Sequence, residues 1–375
     1  MYLIRIQIVY LCLIALFFAC SKEEDVFVPT RSASSNTGVI NDITDGQRFV
    51  VFADQSKGFF IAFSSTLDSE NLTFELSESP FPIKLLDNQG REWDVFGNGA
   101  SESNRGQKLQ RIDHLAGYWF FFPSFFSSIE LHGGASVIRP SPEMLQDNEW
   151  LINTGDIHYG SFRDGIRSID KPSYMLADGK NTIDNEFYGG LDGDELVSVL
   201  ASRDGYKVYP HRILEYHEIV NDFEEGSYST ISYCPLTGTS RVWQSKIDGS
   251  LTEFGVSGLL YNNNLILYDR NSESHWSQIL NIAVQGSKIG EQIVNHNIFE
   301  MKYSEVSKLD GAVLLLDPSS GNFSSYASSQ YSAYATNDHI FFPLAVEDKS
   351  IPPKERVIGV TVNQLTKVYR FEDFK

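Results

Sequence analysis

The feature that most limits the fold of this chain is a series of short apolar runs separated by turn-forming residues. These runs are rich in Val, Ile, Phe and Tyr, and Gly, Asn, Asp and Ser lie between them, while long helical periodicities are scarce after residue 45. Such a pattern is typical of β-strands. The predicted strands include 49–52, 59–63, 72–76, 196–200, 265–268, 313–316 and 357–362. With two predicted helices, at 213–220 and 299–308, the fold class is a β-rich α+β fold.

Two pairs of segments suggest an internal duplication. In the first pair, an apolar strand is followed by a polar turn and the sequence Lys-Val-Tyr, at 196–209 and again at 357–369. In the second pair, an apolar strand ends in Asp and a Trp follows, at 265–276 and at 83–93. The alternative is coincidence between β-rich segments.

The order of these segments predicts how two related halves would be assembled. One half would comprise residues 155–335, and the other would comprise 45–135 together with 338–375. The C-terminal strand would then pack on the N-terminal region, far from it in sequence.

The N-terminus has the features of a lipoprotein signal peptide. Arg5 precedes a nearly continuous apolar stretch at 6–19, which is shorter than the ~20 residues needed to span a bilayer. The stretch ends in FFAC (17–20), which resembles the lipobox of lipoprotein signal peptidase, although Phe17 stands where Leu is usual. We therefore expect residues 1–19 to be removed and Cys20 to carry the lipid.

Residues 20–44 are predicted to form a flexible tether, followed by a globular region at 45–375. The acidic run at 21–25 resembles the surface-export signal of lipoproteins from the Bacteroidetes group. The expected location is therefore the outer membrane, with exposure at the cell surface.

Charge and cysteine content exclude other classes. A formal net charge of −19, with no cluster of Lys and Arg, argues against nucleic-acid binding. Contact with the membrane is expected only through the lipid on Cys20. Removal of the signal peptide takes Cys12 with it, so Cys234 is the one cysteine left for chemistry. No intramolecular disulfide is then available, and the core alone must hold the fold together.

The densest group of reactive side chains lies between residues 209 and 238. It comprises His211, His217, Glu218, Asp222 and Cys234. A Cys and a His brought together could form a thiolate–imidazolium pair for nucleophilic chemistry. With an acidic partner they could instead bind a transition metal. A buried structural role is the alternative, because a lone Cys is usually buried and inert.

Several motifs around this group occur in the order found in a known family. They are KVYP (207–210), HEIVND (217–222), YCPLTGT (233–239), FGVSG (254–258) and, within 268–276, Tyr-Asp-Arg followed by Ser274 and Trp276. Together they resemble domain-of-unknown-function family 3179, a bacterial and archaeal family, over residues 155–370. The family has no established activity. The resemblance implies that Asp269, Arg270 and Trp276 lie near the site.

Two functional hypotheses follow. Many members of that family have Cys-Pro-Leu-Cys, whereas here Thr237 replaces the second Cys, which excludes a dithiol cycle within one chain. The favoured hypothesis is a surface or periplasmic binding or accessory protein in which Cys234 is structural and the aromatic run 118–122 contacts a protein or glycan partner. The alternative is an enzyme or metal-binding protein that uses Cys234 and His217 with an acidic partner.

Overall fold

The computed structural model describes residues 36–134, 136–138, 149–177, 191–202, 205–224, 227–321 and 326–375. Its main sheets are six in number and are arranged like the blades of a propeller, which confirms the predicted β-rich class. Neighbouring blades share apolar clusters, and we number the blades 1 to 6 around the ring in that order. Among the described residues, no helix is both long enough and apolar enough to cross a membrane.

Blades 1 and 2 are three-stranded antiparallel sheets. Blade 1 contains Thr37–Thr44, Gln47–Asp54 and Phe59–Ser64, and blade 2 contains Phe74–Leu76, Ile83–Asp87 and Glu92–Asp94. The predicted tether is therefore wrong over its last eight residues, because 37–44 pair residue for residue with 47–54. The connecting turn places Asp45 and Gly46 at φ values of 46° and 77°, as in a tight hairpin.

Blades 3 and 6 have five strands each and share one unusual feature, a parallel pair inside an otherwise antiparallel sheet. In spatial order, blade 3 contains Tyr174–Leu176, Ala312–Leu316, Gly205–Pro210, Leu196–Ser202 and Phe299–Lys302. Blade 6 contains Ser136–Ile138, Ser128–Leu131, Leu365–Arg370, Arg356–Val362 and His114–Tyr118. In each blade the second and third strands are parallel.

Blades 4 and 5 lie between blades 3 and 6. Blade 4 contains Ile219–Glu224, Ser227–Cys234, Thr239–Gln244 and Asn295–His296. Blade 5 contains Ile157–Tyr159, Phe254–Tyr261, Asn264–Asp269, His275–Ser277 and Ile282–Gln285. Two small hairpins, Thr66–Leu67 with Glu70–Asn71 and Lys246–Ile247 with Ser250–Leu251, connect blade 1 to blade 2 and blade 4 to blade 5.

The helices are short. They are Phe122–Phe125, His211–His217, Tyr303–Val306 and Ser332–Ala335, with 3₁₀ turns at Gln55–Lys57, Glu102–Asn104, Trp119–Phe121, Thr154–Asp156, Pro318–Gly321 and Phe371–Asp373. The predicted helix at 213–220 is right only as far as His217, because Glu218 adopts a φ of +56° and a strand starts at Ile219. The predicted helix at 299–308 is wrong over Phe299–Lys302, which pair as an edge strand with blade 3.

The aromatic run at 118–122 is not a partner surface. Trp119, Phe120, Phe121 and Phe122 are each at most 2% exposed and belong to the apolar cluster shared by blades 5 and 6. The run is not a continuous strand either, because Trp119–Phe121 form a 3₁₀ turn and the helix Phe122–Phe125 follows. These aromatic side chains therefore offer no surface to a protein or glycan partner.

Candidate functional site

The predicted site residues lie around the junction between blade 3 and blade 4. The helix His211–His217 follows the last residue of a blade 3 strand, Pro210, and leads into the first strand of blade 4. Glu218 makes the sharp change of direction by adopting a left-handed conformation, which is sterically costly for a residue other than Gly. One residue therefore separates the last helical residue from a strand, and the side chains on either side point to different neighbours.

Asp222 ties blade 3 to blade 4. One of its oxygens, Oδ2, accepts hydrogen bonds from Lys207 Nζ (2.8 Å), Tyr209 OH (2.8 Å) and Tyr174 OH (2.7 Å). Lys207 and Asp222 are 5% and 4% exposed, so this is a buried ion pair reinforced by two phenols. The Lys-Val-Tyr sequence therefore supplies two donors to one carboxylate, and Asp222 has a structural role.

Both ring nitrogens of His217 are engaged inside the protein. Nδ1 lies 2.6 Å from the carbonyl oxygen of Arg167, and Nε2 lies 2.6 Å from the hydroxyl of Tyr326. Because Nδ1 donates to a carbonyl, Nε2 accepts from the phenol. Burial lowers the pKa of His217 below its ordinary value, so the ring is neutral. Neither nitrogen is available to a thiolate or a metal.

His211 also has partners other than Cys234. Its Nε2 lies 2.9 Å from Ser198 Oγ and 3.3 Å from a Glu300 carboxylate oxygen, and its ring stacks on Tyr233 at 4.2 Å between centroids. A serine–histidine–carboxylate triad uses opposite ring nitrogens for its two partners. Here the hydroxyl and the carboxylate share one nitrogen, so this cluster is not a triad. Burial holds the pKa of His211 well below its usual range.

Cys234 is a free, buried cysteine at the end of the second strand of blade 4. It is 1% exposed, and its thiol donates to the carbonyl oxygen of Asn263 at 3.5 Å. Burial, together with the nearby Glu218 carboxylate, raises the pKa of the thiol to about 11. The thiol is therefore protonated at neutral pH, whereas a reactive cysteine needs an accessible thiolate.

Of the candidates, Glu218 has the environment most typical of a functional residue. It is 7% exposed, and burial raises the pKa of its carboxyl to about 7. Its carboxylate is close enough to raise the pKa of Cys234. It also raises the pKa of Tyr331, for which burial is the larger cause. Of the residues predicted to be catalytic or metal-binding, Glu218 and Cys234 are the pair whose charges interact.

The three residues predicted to accompany the site are structural. Asp269 is fully buried and accepts from the indole nitrogen of Trp276 at 2.9 Å and from Ser272. Arg270 turns away from this pair and bonds the carboxylates of Asp170 and Glu253. These contacts close turns at the ends of blade 5 strands.

A long irregular segment covers the site, and we call residues 326–355 the strap. Tyr326 bonds His217, the hydroxyl of Tyr334 donates to the carbonyl oxygen of Leu236 (3.0 Å), and the Asn263 amide pairs with both main-chain groups of Phe342 (2.9 Å each). The residues predicted to be catalytic, and their neighbours, therefore anchor the strap to blades 4 and 5.

A metal site receives no support here. Among the described residues, no group of three or more His, Cys, Asp or Glu side chains is placed to hold an ion. Four charged residues that are partly or fully buried were not predicted from the sequence. They are Arg111, Arg241, Glu300 and Arg356. Arg241 lies in the strand 239–244, which is buried except at its last residue, so its charge must either pair or bind a ligand.

Comparison with known proteins agrees with the motifs. No curated protein and no solved structure matches the chain. The model of one family, described as proteins of unknown function (DUF3179), matches residues 163–375. That match takes in all of blades 3 and 4, most of blade 5, the strap and the last two strands of blade 6, and on this basis the chain belongs to the DUF3179 family.

Proposed function

We propose that this protein is an exported, lipid-anchored binding or accessory protein of the outer membrane, displayed at the cell surface. The lipobox-like sequence ending in Cys20 and the acidic run at 21–25 support export and anchoring. The observation that carries the binding function is that Cys234 and His217 are both buried and hydrogen-bonded within the fold. The imidazole of His217 holds the strap through Tyr326, the thiol of Cys234 bonds blade 5, and neither group is presented to solvent.

The second candidate is an enzyme or metal-binding protein centred on Cys234. The observation that favours it is Glu218, a strained and buried carboxyl with a raised pKa beside the thiol, because such groups cluster at active sites. Against it stand the raised thiol pKa and the engagement of His217. We therefore rank it below the binding function.

We also propose that the fold consists of two related halves, with blades 6, 1 and 2 corresponding to blades 3, 4 and 5. The matching strand order and the parallel pair of blades 3 and 6 support this relation. The hairpin 356–370 corresponds to 196–210, so the C-terminal strands would complete the N-terminal half.

Three side-chain arrangements recur between the proposed halves. The first is the Lys–Tyr–Asp network. Lys367 Nζ lies 2.8 Å from Asp42 Oδ2 and Tyr369 OH donates to the same oxygen at 2.9 Å. Lys207 and Tyr209 bind Asp222 in the same way. One carboxylate oxygen joins two blades in each half.

In the second arrangement, the side-chain amide of an asparagine pairs with both main-chain groups of one phenylalanine. The Asn41 amide donates to the carbonyl oxygen of Phe74 and accepts from its main-chain nitrogen, both at 2.8 Å. Asn221 does the same with Phe254, at 2.8 and 3.0 Å.

The third arrangement is an indole–carboxylate pair, Trp93 with Asp87 and Trp276 with Asp269, each at 2.9 Å. Coincidence would have to reproduce all of these contacts in corresponding blades.

Lipid attachment can be tested directly in a bacterium that processes lipoproteins. The full chain should incorporate labelled palmitate and fractionate with the outer membrane, and Cys20→Ser should abolish both, because the thiol of Cys20 is the proposed acceptor. Cys234→Ser is the matched control and should leave labelling unchanged. Protease treatment of intact cells then reports whether the protein faces outward. Labelling that survives Cys20→Ser, or an unlabelled wild-type chain, would refute the anchor.

A further inference from the structure

A small polar pocket lies where blades 1, 3, 4 and 6 meet. Its wall includes Phe60 of blade 1, His114 of blade 6, Arg241 of blade 4 and Glu300 of blade 3. Arg111 and the segment 295–298 complete it. In the proposed duplication, blades 1 and 4 correspond, as do blades 3 and 6, so the pocket would lie on the axis that relates the two halves.

The guanidinium of Arg241 is buried without adequate partners. The side chain is 5% exposed, yet its nearest acceptors are the carbonyl oxygens of His114 (3.3 Å) and Ile279 (3.4 Å) and a carboxylate oxygen of Asp113 (3.5 Å). Its Nε has no hydrogen-bond partner among the described residues. A guanidinium has five donors, and a buried one is costly unless it is paired. The fold therefore holds a buried cation whose contacts are long and whose Nε has no partner among the described residues.

Arg111 adds a second guanidinium, which contacts the same oxygen of Asp113 as Arg241 does. It donates to the carbonyl oxygen of Asn295 and to Asp113 at 3.2 Å, and its Nε is also buried without a partner among the described residues. The amide oxygens of Asn295 and Asn297 are likewise buried and unpaired there. An amide can rotate to present its NH₂ group instead, since oxygen and nitrogen are assigned from the hydrogen-bond network. The pocket thus offers two guanidiniums and two adaptable amides.

The charge balance of the pocket favours an anion. Asp113 is the carboxylate shared by the two guanidiniums, and its side chain is 47% exposed. Glu300, which also lines the pocket, is already bonded to Arg356 and Ser240. Burial lowers the pKa of His114 to about 4 and also lowers that of His296, so neither ring adds charge at neutral pH. In a protein of net charge −19, this is a local concentration of positive charge.

We propose that Arg241 and Arg111 form a site for a small oxyanion, such as phosphate or the phosphate group of a small organic ligand. The planar guanidinium fork matches the oxygens of a tetrahedral oxyanion. Hydrogen phosphate also carries a hydroxyl, which can donate to an amide oxygen of Asn295 or Asn297. This inference rests on the proposed function, in that the bound anion is a ligand of a binding protein rather than a substrate.

The test is calorimetric titration of inorganic phosphate into the full chain, purified in detergent, against sodium chloride at equal ionic strength. Phosphate should bind saturably, with one site per chain. Arg241→Met should weaken binding by about 30-fold or more, as expected for the loss of one partner of a buried charged hydrogen bond. Arg163→Gln is the matched control, because Arg163 is a half-exposed arginine paired with Glu273, and it should bind as the wild type does.

Arg111→Gln keeps the proposal testable should Arg241→Met fail to fold, because Arg111 is more exposed, and this variant should also weaken phosphate binding. A parallel titration with glycerol 3-phosphate identifies the source of the anion. Tighter binding than phosphate would assign the site to an organic phosphate, and equal or weaker binding to the free ion. Heats no larger than those of chloride, or wild-type affinity in both arginine variants, would overturn the site. Failure of lipid labelling at Cys20 would refute the anchor alone.

Discussion

Removal of residues 356–375 should unfold the N-terminal region, residues 45–135, although none of those residues is deleted. The truncated chain would lack two central strands of blade 6, Arg356–Val362 and Leu365–Arg370, which pair with His114–Tyr118 and Ser128–Leu131. It would also lose seven large buried apolar side chains, those of Val357, Ile358, Val360, Val362, Val368, Tyr369 and Phe374. At about 1.5–3 kcal/mol each, the loss is about 10–20 kcal/mol. Whole domains are stable by only about 5–15 kcal/mol.

Urea denaturation followed by tryptophan fluorescence measures this loss, and limited proteolysis locates it. Cleavage of the truncated chain should begin within blades 1, 2 and 6. Removal of residues 1–35 is the control and should leave the urea midpoint close to that of the full chain, because these residues are the expected signal peptide and part of the predicted tether. A truncated chain with an unchanged midpoint and protected blades would show that the C-terminal strands are dispensable.

Asp222→Ala should destabilise the protein by about 3–5 kcal/mol, the usual cost of removing one partner of a buried ion pair. The variant leaves the Lys207 ammonium and the Tyr209 and Tyr174 hydroxyls without the oxygen that binds all three. The urea midpoint should fall accordingly. The double replacement Lys207→Met with Asp222→Leu should recover most of the loss, because the two charges are removed together.

The corresponding network in blades 6 and 1 provides a matched comparison. The Lys367 and Asp42 side chains are 13% and 15% exposed, against 6% and 5% for Lys207 and Asp222, and Lys367 also pairs with Glu130. Asp42→Ala should therefore cost less than Asp222→Ala. Equal effects, or a loss at Asp222 below about 1 kcal/mol as for surface pairs, would mean that burial does not govern these networks.

The strands could be predicted from the sequence because their signals are local. Each run of branched and aromatic residues that ends at a turn is a strand or most of one, as at 49–52, 265–268 and 357–362. The helix boundaries failed where long-range contacts decide, since Phe299–Lys302 is held extended by pairing with a strand about 100 residues earlier. The missed strand 37–44 did have a local signal, the Asp45-Gly46 turn before an apolar strand.

The site was harder to predict because its partners are remote in sequence. Nothing in the sequence around His217 indicates that Arg167 and Tyr326 engage its two nitrogens, from 50 and 109 residues away. Arg111 and Arg241 line one pocket although they are far apart in sequence. The motifs identified the family and the residues that matter, whereas the roles of those residues depend on how the blades close into a ring.

The measurement that tests the central claim most directly is the pH dependence of Cys234 alkylation in the folded chain without residues 1–20, where it is the one cysteine. Because the thiolate reacts, the rate should rise tenfold per pH unit through pH 9 toward a pKa of about 11. Glu218→Gln should lower that pKa, because the carboxylate opposes ionisation of the thiol. A rate that levels off below pH 7, or stoichiometric metal lost on Cys234→Ser, would contradict the account and make Cys234 a reactive centre.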